Sequence, residues 1–518
     1  MQKKDIGQLF VVGYQGLNPS DEFLRFVDEW GIGGVIVFAR NIDNPENLPG
    51  IIKRIEEASG QKIFSAIDQE GGPVMRILSG GSLFHSAMGL AATGDVRLAE
   101  KSYEAIGKEM LALGLNWNLA PVLDINHPDN PGIGSRSFGE DPQTVAKFGI
   151  AAIKGLQSAG VLACAKHFPG KGKARVDSHL TLPVIASSVD ELENFELFPF
   201  KEAIKNKVDA IMTAHVFFPA YESAKNLPAT LSHSVLTGLL RQKLGFEGLL
   251  ITDDLEMGAI TEAYGIAEAA ARSFQAGADL LLICHQIEQQ KAAAQNLLKL
   301  VNNEAVYADR FQESSARISK AKASLGSHKK SSDLIALAKK HEAIVIETHE
   351  KSLHFARFDR KMLECTNEDN IVFVCPEIAS LVQVEEVHQN HGLESIIKRE
   401  FSNAAVCHYD PKSNSAEIIK HFDAQFNLHR FHFDKLVFFS YNAHLFKGQA
   451  DAANTLAQRY KNSAVVALRN PYDLNLMKNF KTAIAAFSFR TPAINAVLKA
   501  LKGNLKPDCK NCIPVLAN

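Results

Sequence analysis

Eight short apolar runs alternate with amphipathic stretches along the first part of the chain: Leu9–Val12, Gly34–Ala39, Ile63–Ile67, Leu119–Leu123, Val161–Ala165, Ala210–Thr213, Leu249–Thr252 and Leu280–Ile283. They are rich in Val, Ile and Leu and lack strict alternation, the pattern of strands buried on both faces. The stretches between them carry a helical period. The clearest begins at Asp141-Pro142, an N-cap followed by proline in the first helical position. Val145, Phe148, Ala152 and Leu156 then share one face, and Gly160 marks the stop. Eight βα units predict a TIM (β/α)8-type barrel over residues 1–325, with an open doubly wound sheet as the alternative.

A polar, basic break follows, Ser324-Leu325-Gly326-Ser327-His328-Lys329-Lys330-Ser331-Ser332, and predicts a linker over 326–335. Beyond it the runs Ala343–Ile346, Ile371–Cys375, Leu436–Phe439, Ala464–Leu468 and Ala483–Phe487 alternate with helical patterns. They predict a second α/β domain over 336–518, an open sheet sandwiched by helices. It carries no compact catalytic cluster. Arg469-Asn470-Pro471-Tyr472-Asp473 reads as a helix-initiating turn, with contact to the barrel or a ligand as the alternative.

At 518 residues the chain suits two domains, and its formal net charge of −2 argues against nucleic acid as a main partner. No apolar run reaches membrane-spanning length. Met1 to Phe10 lacks a signal-peptide pattern, so a cytoplasmic location is expected. The seven scattered cysteines suit a reducing compartment; Cys164 and Cys284 read as packing residues, and Cys509 and Cys512 form a lone C-x-x-C.

In a barrel, reactive groups gather at the C-terminal ends of strands. Six of the eight runs end on charged or imidazole residues: Arg40, Asp68, Asp124, Lys166-His167, His215 and Asp253-Asp254. The densest stretch is Lys166-His167-Phe168-Pro169-Gly170-Lys171-Gly172 with Asp177-Ser178-His179. Asp177 and His179 are two apart and face the same way in an extended segment, so a carboxylate can orient an imidazole. This inventory, with the cations Arg76 and Arg136, suits glycoside cleavage. Asp253 can attack an anomeric carbon, and His179, with an unperturbed pKa of about 6.5, can exchange the proton. Metal binding by His167, His179, His215 and Asp253 is the rival reading; the local lysines would repel a cation. Lys166, Lys171 and Lys173 also leave phosphate binding open.

The chain resembles glycoside hydrolase family 3, in its bacterial β-N-acetylglucosaminidase branch. The resemblance is carried by Ile6-Gly7-Gln8-Leu9-Phe10, Asp68-Gln69-Glu70-Gly71-Gly72 with Arg76, Ala120-Pro121-Val122-Leu123-Asp124, Arg136-Ser137-Phe138-Gly139, the lysine-histidine loop and Thr252-Asp253-Asp254-Leu255. A looser likeness joins Leu501-Lys502-Gly503-Asn504 and Pro514-Val515 to the end of the second domain of two-domain members. The resemblance implies a retaining enzyme without metal or cofactor, with Asp253 as nucleophile and Asp177–His179 as acid/base dyad. It implies sugar binding by Asp68, Arg76, Arg136, Lys166 and His167. The implied substrate is terminal β-linked N-acetylglucosamine, typically in cell-wall (peptidoglycan) fragments. The chain departs from the family at Lys171, where a histidine is expected, at Lys173-Ala174, in place of Asp-Thr, and at Pro73, in place of arginine. The extra lysines open phosphorolysis, or another sugar as in a β-glucosidase, as alternatives. A sugar-binding protein without turnover is the alternative outside enzymes.

Overall fold

The computed structural model describes residues 1–178, 180–325, 333–378, 392–426 and 432–505. Eight parallel strands form the first domain: β1 Phe10–Val12, β2 Gly34–Val37, β3 Phe64–Ile67, β4 Trp117–Asn118, β5 Leu162–Phe168, β6 Ala210–Thr213, β7 Leu249–Ile251 and β8 Leu281–Ile283. Each pairs with its sequence neighbour, and β8 pairs back onto β1. The ring closes between β7 and β8, where Ile251 bridges Leu280 and the Thr252 amide donates to the Leu280 carbonyl at 3.1 Å. This is the barrel, not the open sheet. The lack of alternation now has its reason. All seven residues of β5 are buried, because one face fills the barrel and the other packs under helices.

The helix Pro142–Ala159 forms as its termini dictate. The Asp141 carboxylate accepts from the Thr144 amide at 2.7 Å, and Gly160 ends the helix at φ 91°.

The fourth strand differs from the expected Leu119–Leu123; it is the shorter Trp117–Asn118. Pro121 has no amide to extend a ladder, and Asn118 works as a peptide surrogate. Its side chain accepts from the Gln69 amide at 3.1 Å and donates to the Gln69 carbonyl at 2.9 Å. A polar residue doing a backbone's work leaves no apolar run to read.

The second domain is a six-stranded sheet in the order β11-β10-β12-β13-β14-β9, with β9 His354–Arg357, β10 Ile371–Pro376, β11 Ala405–Tyr409, β12 Lys435–Ser440, β13 Ser463–Ala467 and β14 Thr482–Ala485. All neighbours are parallel except β9, which runs antiparallel to β14. Helices Leu393–Glu400 and Thr491–Leu501 bury one face, and Ser415–Gln425 and Gly448–Arg459 bury the other. The edge strands β9 and β11 are partly exposed, which is why no continuous apolar run marks them. Ala343–Ile346, expected as a strand, lies inside the helix Leu334–Ser352. Asp333 caps that helix, and Leu334 and Val345 bury against the barrel core. A four-residue apolar run fits either element, and the cap decided.

The domains interlock. Met88 and Ala92 of the barrel sit in an apolar cluster of the second sheet, and the Ser86 hydroxyl donates to the Phe487 carbonyl at 2.7 Å. Residues 326–332 of the expected linker, Cys509, Cys512 and Pro514-Val515 lie outside the described residues.

Candidate active site

The strand ends converge on a cavity of about 280 Å³. Asp68, Arg76, Arg136, Lys166, His167 and Asp253, all singled out in the sequence, line it together, with Lys171 and Asp254 beside them. Lys166 and His167 are adjacent in β5, where strand alternation would send them to opposite faces. The β5–β6 register shifts between Ala165 and Phe168, and both side chains reach the cavity.

A buried ion network forms one wall. Lys166 Nζ lies 2.7 Å from Asp68 Oδ1 and 2.7 Å from Glu70 Oε1. Arg136 donates to Glu70 through Nε at 2.8 Å and Nη2 at 2.7 Å, a two-pronged pair. Arg76 Nη2 sits 3.4 Å from Asp68 Oδ2. Burial alone would raise Asp68, yet Lys166, then Arg76, outweigh it and hold its carboxyl below the ordinary range. Burial opposes ionisation of Glu70 as well, and Arg136 and Lys166 overcome it. Both are therefore ionised acceptors fixed by their cations, Asp68 in the cavity lining and Glu70 behind it.

Asp124, fully buried behind the cavity lining, holds His167 and Lys171. Its Oδ2 lies 2.7 Å from His167 Nδ1, and its Oδ1 accepts from the Lys171 amide at 2.7 Å. Burial pushes its carboxyl up, with Lys171 acting against that. His167 Nε2 is thereby turned toward Asp253 Oδ2, 4.0 Å away. Asp253 Oδ1 accepts from the Asp254 amide at 3.0 Å, and Lys171 Nζ stands 3.6 Å from Oδ2.

His215 does not line the cavity. Its Nε2–H donates to the Asp254 carbonyl at 2.8 Å and its Nδ1 meets Thr230 Oγ1 at 2.8 Å. Burial pushes this imidazole down, so it works as a neutral brace behind Asp253. Of the histidines named in the metal reading, His167 lines the cavity with its Nδ1 on Asp124, His215 does not line it, and His179 lies outside the described residues. Among the described residues Asp254, Glu256 and His285 do cluster, but Glu256 already accepts from the Gln286 amide at 3.0 Å and from the His285 amide.

Asp177 is half-buried and outside the cavity lining, and His179 lies outside the described residues. The Asp177 carbonyl accepts from the Leu180 and Thr181 amides at 3.0 and 3.2 Å. The loop is anchored on both sides. Asn130 Nδ2 donates to the Lys171 and Gly172 carbonyls at 2.9 Å each, and the Ser178 carbonyl accepts from the Ala259 amide at 3.2 Å. Gly172 lies so close to the Ile125 carbonyl that a Cβ would sit 1.6 Å from its oxygen. Lys173 points away from the cavity, onto Glu196 Oε1 at 3.1 Å and Ser187 Oγ at 3.2 Å.

The second domain braces two of the loops. Arg490 donates to the Gly72 and Pro73 carbonyls at 3.0 and 3.4 Å, behind the segment that carries Asp68 and Glu70. Tyr472 hydrogen-bonds Glu140 and accepts from Asn126 Nδ2 at 2.6 Å, and Asn470 packs against Gly134, beside Arg136. The Arg469–Asp473 segment thus meets the barrel and also begins the short helix Asp473–Leu476.

Glu70 and Asp124 are the network members that residue-by-residue reasoning did not assign a role. Both stood in quoted segments, and Asp124 ends an apolar run. What identifies them is their number of buried cationic or amide partners, which depends on strands far apart in sequence.

Residues 1–321 match the family described as the glycosyl hydrolase family 3 N terminal domain. The chain belongs to glycosyl hydrolase family 3. Curated relatives include beta-hexosaminidase A of Pseudoalteromonas piscicida, 37% identical over 331 residues, which are 59% of this chain and 55% of that protein. The chain thus spans about half the length of that relative. A beta-hexosaminidase of Neisseria gonorrhoeae is 37% identical over 277 residues, 52% of this chain and 75% of its own. Among solved structures, a glycoside hydrolase family 3 beta-N-acetylglucosaminidase from Paenibacillus sp. str. FPU-7 superposes with a TM-score of 0.91 at 34% identity, covering 100% of this chain and 99% of that one. This family 3 chain therefore shares both domains with that enzyme.

Proposed function

We propose that this family 3 protein is a retaining, exo-acting β-N-acetylglucosaminidase that releases terminal β-linked N-acetylglucosamine. The observation that carries the proposal is the placement of Asp253 at the end of β7, facing a cavity whose walls are fixed ionised donors and acceptors. The cavity volume of about 280 Å³ is at the small end of ligand pockets, about 300–1,000 Å³, and suits one terminal sugar. The names of the similar proteins support the hexosamine as that sugar.

In this reading an Asp253 oxygen attacks the anomeric carbon as the aglycone oxygen leaves with a proton from His179. Water then attacks the same carbon, gives its proton to His179, and the electron pair of the ester bond returns to Asp253. Asp177 is the orienting carboxylate. The docking of Ser178, its chain neighbour, at Ala259 supports the dyad's approach to Asp253. Asp68, Arg76, Arg136, Lys166 and His167 bind hydroxyls and the acetamido group, and Glu70 and Asp124 hold them. Hydrolysis is favoured over phosphorolysis because Lys171 faces Asp253 and Lys173 is occupied by Glu196. Peptidoglycan fragments in the cytoplasm are the proposed natural source. A barrel over 1–325, a linker over 326–335 and a second domain over 336–518 are the proposed partition, the helix Leu334–Ser352 beginning within the last residues of that linker.

Release of p-nitrophenol from the β-N-acetylglucosaminide and the β-glucoside, with and without phosphate, tests this. The expected result is a strong preference for the former, independence of phosphate, and loss of turnover in Asp253→Asn. Turnover by Asp253→Asn at the parent rate would overturn the assignment.

A further inference from the structure

The cations of the cavity divide by partner. Lys166, Arg136 and Arg76 hold Asp68 and Glu70, and Arg40 donates to the Tyr14 and Cys284 carbonyls. Lys171 differs. Its ammonium stands 3.6 Å from Asp253 Oδ2, on a side chain 9% exposed. Its backbone cannot drift, because Asp124 holds the amide and Asn130 the carbonyl. This is the position where the family resemblance calls for a histidine, so a lysine ammonium here is a departure of this chain from that pattern.

We propose that Lys171 is a positioning residue for the nucleophile, one that favours Asp253 as a free carboxylate and so speeds breakdown of the glycosyl-enzyme. The inference rests on Asp253 being the nucleophile. In the first step a bond forms between Asp253 and the anomeric carbon, the aglycone bond breaks, and the carboxylate charge disappears into an ester. The ammonium then loses its counter-charge. In the second step water displaces the carboxylate, the electron pair returns to Asp253, and the ion pair re-forms. A fixed cation therefore disfavours the intermediate relative to the free enzyme and improves the leaving group that must depart from it.

Asp253 is also faced by His167 from β5, by His215 behind β6, and by Asp254 next to it in the chain. These remain in a Lys171 variant, so the change reads the lysine alone. An opposite charge within about 4–6 Å favours the ionised form by roughly one to three pH units. For Lys171→Met the acid limb of kcat/KM should therefore move up by about one unit. On an activated aryl β-N-acetylglucosaminide, the variant should show a burst approaching one equivalent of phenol, with the following steady state on the order of tenfold slower. Lys171→Arg should restore both. A role confined to folding would lower the thermal midpoint but leave the acid limb in place. Azide rescue of Asp253→Gly, giving the α-glycosyl azide, tests the nucleophile separately, and failure there overturns both assignments. Success there, with an unmoved acid limb and no burst in Lys171→Met, overturns the Lys171 assignment alone.

Discussion

Glu70→Gln isolates the ion network by removing one charge and little volume. Glu70 accepts from Arg136 twice, and Lys166 lies 2.7 Å from its Oε1; the three side chains are 4%, 3% and 2% exposed. The variant leaves two buried cations with Asp68 as their remaining ionised partner. Breaking a buried pair from one side costs about 3–5 kcal/mol, most of it the desolvated charge left behind. At about 2 °C per kcal/mol for a domain of this size, the barrel's thermal midpoint should fall by roughly 6–10 °C. KM should rise as well, because Lys166 and Arg136 would no longer be held at the sugar. Scanning calorimetry at pH 7 and KM on the aryl β-N-acetylglucosaminide read the two effects. A midpoint within a degree of the parent, with KM unchanged, would refute the argument. It would mean that Asp68 and solvent stabilise the cations without Glu70.

The other expectations are briefer. His179→Ala should slow substrates with poor leaving groups by about 10²–10⁴-fold and activated aryl glycosides far less; equal losses on both would remove His179 as the acid. Arg490→Met should raise KM several-fold with a smaller effect on kcat, because it frees the turn behind Asp68 and Glu70, and charge-assisted hydrogen bonds are worth about 1.5–3 kcal/mol each; an unchanged KM would make the second domain a passenger. His85 and His349 stack at 4.0 Å between barrel and second domain. Burial pushes His349 down to about 4 and, with His349 adding to it, His85 well below its ordinary value. Unfolding releases bases of pKa about 6.5, so this stability is complete above about pH 6.5 and is lost as pH falls toward 4, about 3 kcal/mol for His349. His349→Phe should flatten the midpoint's dependence on pH between 6.5 and 5, and an unaltered slope would count against the stack as its origin.

Much of the site was legible before the fold. Asp68, Lys166, His167 and Asp253 end apolar runs, and a closed parallel barrel brings run ends to one rim, so position along the chain already implied meeting. Arg76 and Arg136 end no run; they stood in the inventory of candidate cations, and the resemblance gave them a role. The helix after Asp141 was readable because capping and amphipathicity are local.

Other features depended on partners that the chain order does not reveal. The fourth strand hides behind an asparagine that substitutes for backbone, and Ala343–Ile346 takes the element its cap and its packing allow. Lys171 and Lys173 look alike in sequence, yet one faces Asp253 and the other Glu196. That choice follows from a loop pinned by Asp124 and Asn130 and from glycines that admit close backbone approach. The sequence by itself determined which chemistry the chain carries and at which strand ends. Tertiary structure decided which charges pair, because Coulomb interactions depend on distance in space and burial, and neither is a property of chain order.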